Sequence, residues 1–147
     1  MFTPPINAAL LGGALIILQA LLMLSAGGYR GRNRKAIGVE GDAKLERLVR
    51  RHGNLAENAA IFVAVLALYE LIAGSTAFAF WIAIIFLIAR LAHVIGFSNA
   101  AGSHLEGADG AGRIYVLCRM IGAGFTALSS IALGIATLIS ASAAFGA

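Results

Sequence analysis

The chain has little of what a water-soluble domain needs. Charged residues make up 12% of its 147 positions, against 60% hydrophobic, and the mean hydropathy is +0.88. A soluble domain of this length cannot hide that much apolar surface, so the composition identifies an integral membrane protein. Cysteine is almost absent. Cys118 stands alone, which excludes an intrachain disulfide. The two prolines, Pro4 and Pro5, break any helix before Ile6. Nothing alternates with period two, which excludes membrane strands. No basic segment precedes the first apolar run and many basic residues follow it, so that run reads as an uncleaved anchor. Length and hydropathy leave room for one bundle, 1–147, and no separate soluble domain.

The charges present are uneven. Eleven Lys and Arg outnumber seven Asp and Glu. Four apolar stretches are expected at roughly 6–26, 44–73, 76–97 and 113–140. Gly27-Gly28 should end the first, Gly74-Ser75 should form a tight hairpin turn, and a basic loop should run from Tyr29 to Ala43. Arg30, Arg32, Arg34, Lys35, Lys44, Arg47, Arg50 and Arg51 then fall between spans one and two. Arg90 falls late in span three, and Arg113 and Arg119 open span four. All eleven thus lie on one side, which the resistance of basic residues to translocation makes cytoplasmic. Both termini are expected on the other side. The expected fold is an all-α transmembrane four-helix bundle.

That layout brings polar groups to one depth. Arg50, Asn54 and Glu57 are spaced four and three apart, on one face of span two. Arg90 and His93 are three apart in span three, and Arg119 follows the start of span four. The helix directions put all six near the cytoplasmic end. The excess of cations suits an anionic ligand held by charge-assisted hydrogen bonds. The bland alternative is that the arginines snorkel to headgroups and Glu57 pairs with Arg90 only to hold the bundle. Glu70 is expected to reach the outer interface, and Tyr69, Trp81 and Tyr115 to act as interfacial anchors. His104, Glu106 and Asp109 read as a solvated, glycine-rich loop, and no metal site is expected. The basic loop reads as a topology signal and lipid-headgroup contact, with no nucleic-acid partner.

Arg50-Arg51-His52-Gly53-Asn54-Leu55-Ala56-Glu57 resembles the Arg-x-x-x-Asn-x-x-Glu signature of the MAPEG family, membrane-associated proteins of eicosanoid and glutathione metabolism. Arg90-Leu91-Ala92-His93 and the Arg119 to Thr126 segment are similar to third- and fourth-helix segments of its short bacterial members. The resemblance implies a membrane homotrimer with glutathione as co-substrate, and the Ala- and Gly-rich composition with short loops points to a bacterial inner membrane. It implies that Arg30, Arg50, Asn54, Glu57, Arg90 and His93 bind glutathione, with Arg32 and Arg34 competing with Arg30. It also implies that Arg119 stabilises the thiolate. Gly53 and Phe97 depart from the prostaglandin synthase branch, and Asn58 stands where many bacterial members have an aromatic residue, which turns the expectation from prostaglandin chemistry to transfer onto small apolar electrophiles or peroxide reduction. A non-catalytic binding or scaffold protein of the same fold is the alternative. A small ion or proton transporter through Glu57, His93 and Arg90 is a third reading.

Overall fold

A computed structural model describes residues 3–103, 110 and 112–146. His104, Glu106 and Asp109 lie outside the described residues. The described residues form α1 (Ile6–Arg32), α2 (Ala43–Ala73), α3 (Ala77–Gly96), a 3-10 turn (Ala100–Ser103) and α4 (Gly112–Phe145). No strand occurs among them. All four α-helices are long and apolar enough to cross a membrane.

The helices begin where the local chemistry directs. Pro5 precedes α1, where a missing N–H costs nothing. Asp42 caps α2, accepting from the Lys44 and Leu45 amides at 3.1 and 3.0 Å. The Leu45 amide bond, with those from Lys35 and Tyr29, holds the Asp42 carboxyl below the usual carboxylate range. Thr76 caps α3, accepting from Ala79 N at 3.2 Å. Gly74 adopts φ 80° in the turn before it, a conformation glycine takes without strain.

Two expected boundaries move. α1 does not stop at Gly27-Gly28 but continues through Tyr29 to Arg32. A helical glycine costs only about 1 kcal/mol, and local contacts offset it. Tyr29 OH donates to Asp42 Oδ2 at 3.1 Å, Lys44 lies over the Tyr29 ring, and Asn33 Nδ2 donates to Tyr29 O. α4 runs on to Phe145, because the Ala- and Ser-rich stretch after 140 contains no breaker before Gly146.

α1 packs chiefly on α2 and α3 chiefly on α4, while α2 joins the two pairs by touching α4. Lipid offers no hydrophobic gain for burying one helix on another, so close packing and interhelical hydrogen bonds hold the pairs. Phe62 stacks on Phe86 with ring centroids 3.6 Å apart, in one core cluster with Leu55, Leu66 and Leu133. Large apolar side chains such as Leu10, Ile61, Ile88 and Leu138 face outward, as a lipid-facing surface requires.

Glu70 corrects its expected place. It is 0% exposed. Its carboxylate accepts from Asn7 Nδ2 and Ala8 N at 2.8 Å, from Asn7 N at 3.3 Å and from Ser75 Oγ at 2.7 Å. It therefore satisfies the first-turn amides of α1 and complements that helix's positive end. Tyr69 is likewise buried, beside Thr76 and edge-on to Phe78, while Trp81 is exposed.

Candidate functional site

The end of the bundle that carries the α1–α2 loop and the arginine-rich start of α2 holds most of the basic residues. The site is built there from close helix approach. Gly122 of α4 lies so close to α3 that an added Cβ would meet His93 N at 2.6 Å and Ala89 O at 2.7 Å. Gly96 meets Arg119 in the same way, with Arg119 N at 2.6 Å. Two glycines therefore let α3 and α4 touch backbone to backbone, and that contact sets Arg119 at the end of α3. Its guanidinium carbon lies 5.6 Å from the centre of the Phe97 ring. It has no hydrogen-bond partner among the described residues.

The sequence placed six polar groups at one level; the structure divides five of them between two cavities and leaves Glu57 outside both. The basal cavity, about 360 Å³, is lined by Ala43, Glu46, Arg47, Arg50, Phe97, Ser103 and Arg119. Arg50 Nε donates to Glu46 Oε1 at 3.0 Å, so three arginines and one carboxylate share this space. The deep cavity, about 350 Å³, lies between α2, α3 and α4. Asn54, Asn58, Arg90, His93, Thr126 and Ser130 supply its polar lining. His93 and Phe97, whose ring centres are 5.1 Å apart, stand between the two. Both volumes fall in the range of small-molecule sites, about 300–1,000 Å³.

Arg90 is 2% exposed and does not pair with Glu57. Its Nη1 donates to Asn54 O at 3.2 Å and its Nη2 to Gly122 O at 3.4 Å, tying α2 to α4 through α3. Its Nε is buried without a partner. Asn54 Nδ2 donates back to Arg50 O at 2.9 Å. Glu57 is exposed, lines neither cavity, and has no bonded partner among the described residues. Arg30 also lines neither; its Nη1 donates to Gly38 O at 2.9 Å and Ala36 O at 3.4 Å, closing the basic loop.

Some lining residues were not singled out from the sequence. Arg47 lies three before Arg50, so helical spacing alone was enough to find it. Glu46 had a similar signal, four before Arg50. Ser103 reaches the basal cavity only because of the 3-10 turn after α3, which no spacing foretells. His52, unassigned from sequence, shares a 2.7 Å hydrogen bond with Gln19 and so links α2 to α1, away from the site.

Comparison with known families decides the identity. The model of the MAPEG family matches residues 8–139, nearly the whole chain. The chain belongs to the MAPEG family. Comparison with curated proteins finds no match. The MAPEG match spans all four helices, and thus every residue that lines the two cavities.

Proposed function

We propose that this MAPEG chain is a glutathione-dependent membrane transferase or thiol-dependent peroxidase acting on apolar electrophiles. The observation that carries the reading is the basal cavity, where Arg47, Arg50 and Arg119 converge beside Glu46 and Phe97. Glutathione at neutral pH has two carboxylates, an ammonium and a thiol. Arginines suit the carboxylates through paired N–H donors. Glu46 offers the ammonium a partner within the same cavity, a role that Glu57 would take only from a neighbouring surface. A guanidinium near the thiol favours the thiolate, which is the nucleophile. Arg119 has no competing partner among the described residues and is free for that role. Arg90 and His93 then support the site from below, and Arg30 through the basic loop.

The reading includes a homotrimer in a bacterial inner membrane, the basic end cytoplasmic, with the exposed carboxylate of Glu57 completed at a contact between copies. The electrophile enters from the lipid. The test is turnover by purified protein in lipid nanodiscs, with an aryl halide and with an alkyl hydroperoxide. Glutathione-dependent conversion of either supports the proposal. No conversion of either at millimolar glutathione removes the enzyme.

A further inference from the structure

The basal cavity contains a hydroxyl that no role has yet absorbed. Ser103 Oγ lines it, is shielded from solvent and has no hydrogen-bond partner among the described residues. A buried hydroxyl without a partner is costly, so what holds it there matters. Ser98 Oγ donates to Ile95 O at 2.6 Å, and Asn99 Oδ1 accepts from Ala101 N at 3.0 Å, which leads the chain into the 3-10 turn. Gly102 then lies directly against Gly96 O, with no room for a Cβ, and an added Cβ would also meet Tyr115 Cβ at 3.3 Å. Gly96 is the glycine that touches the Arg119 backbone on its other side. The stack Gly102–Gly96–Arg119 therefore fixes Ser103 and Arg119 together, and the turn packs mainly on α4. Phe97, Ser103 and Arg119 form one wall of the cavity, and Glu46, Arg47 and Arg50 of α2 form the other.

The lining leaves the Ser103 proton without a taker. Guanidinium groups donate and never accept, so Arg47, Arg50 and Arg119 cannot receive it. Glu46 can accept, but it is bonded to Arg50 on the opposite wall. The lone pairs of Ser103 Oγ, by contrast, share the cavity with three donors. Such a hydroxyl is complemented by an anionic acceptor on the ligand. Carboxylates have two oxygens and match the paired N–H groups of arginine. A thiolate is a single acceptor atom, which suits one O–H beside one guanidinium. In the function proposed above the thiol lies at Arg119, on the wall that Ser103 shares.

We infer that Ser103 is a ligand-binding residue of the basal cavity, whose hydroxyl donates to the same ligand atom that Arg119 faces, the thiolate sulfur of glutathione. The inference deepens the function proposed above and rests on that reading for the identity of the ligand. Detergent-purified parent, Ser103→Ala and Ser103→Thr are titrated by calorimetry with glutathione and with S-methylglutathione, which has no ionisable sulfur. The ultraviolet thiolate band of bound glutathione is followed against pH in each. Ser103→Ala is expected to raise the pKa of the bound thiol by about one unit, a tenfold loss of thiolate at pH values below it, as the loss of one hydrogen bond to a charged group requires. Its affinity for S-methylglutathione should stay within about twofold of the parent's, because no charged acceptor is lost. Ser103→Thr keeps the hydroxyl and should keep the parent's thiol pKa. A turn that only supports the fold would weaken both ligands together without moving the thiolate band. That result, an unchanged band and unchanged affinities, or a pKa raised as much by threonine as by alanine, overturns the inference while glutathione binding by the parent leaves the enzyme reading standing. A parent that binds neither ligand overturns both.

Discussion

A guanidinium resting over the Phe97 ring, with no bonded partner among the described residues, is oriented by the ring and left open to a ligand. Arg119 occupies that position, and its effect on a thiol follows from charge. Removing the cation raises the thiol pKa, so less thiolate is present at neutral pH. Arg119→Ala is expected to move the pH–rate profile for conjugation up by about one to two units and to slow turnover at pH 7 by roughly 10- to 100-fold. Arg119→Lys should restore much of the profile but less of the affinity, because an ammonium lacks the planar fork. A rate that falls equally at all pH values would remove Arg119 from thiol activation. At this scale much of the site was legible in the sequence. The spacing of Arg50 and Asn54 on one helix, and of Arg90 and His93 on another, follows helical periodicity. Their division between two cavities was not, because it depends on the His93–Phe97 pair filling the space where α3 meets α4. The same periodicity put Glu57 near Asn54 but carried no information about which side of α2 its neighbours cover.

Helices are held in place here by single polar or glycine contacts. The approach of α4 to α3 depends on Gly122, whose added Cβ would strike backbone atoms of His93 and Ala89. Backbone cannot swing aside as a side chain does, so Gly122→Ala should part the helices. Overpacking of this kind typically costs about 1–3 kcal/mol. The expected result is a lower Tm together with weaker glutathione binding, since Arg119 moves with α4; a variant as stable and as tight-binding as the parent would refute the crossing. The start of α1 depends in the same way on Glu70. Glu70→Gln places an amide N–H against donors of Asn7, Ala8 or Ser75, at a cost of roughly 1–3 kcal/mol for each buried group left unpaired. Hydrogen exchange should then quicken at Asn7 and Ala8 before it does at the centre of α1. Unchanged protection there would show that lipid packing alone holds that end. Four spans and the hairpin at Gly74 were legible because apolar runs and turn glycines are local signals. The end of α1 was not, since Gly27-Gly28 looks like a stop until Tyr29 is seen to reach Asp42 across the loop. Glu70 looked like an outer-interface residue for the same reason: its Asn7 and Ala8 partners lie more than 60 positions away.

As a whole the molecule is four apolar helices with basic residues gathered at one end and outward-facing leucines and isoleucines along the rest. The scarcity of charge made a membrane bundle legible from composition. The arrangement of cavities along its length required the helices to be set against one another. Arg47, Arg50 and Arg119 line one space, a set of donors that suits an anion, and under the proposed function that anion is glutathione. The most direct measurement is calorimetric titration of glutathione into the detergent-purified protein, beside Arg47→Ala and Arg119→Ala. Saturable binding that weakens about tenfold or more in each variant is the predicted result, as loss of a charge-assisted hydrogen bond requires. No saturable heat at millimolar glutathione, or binding that both variants keep intact, would contradict the account.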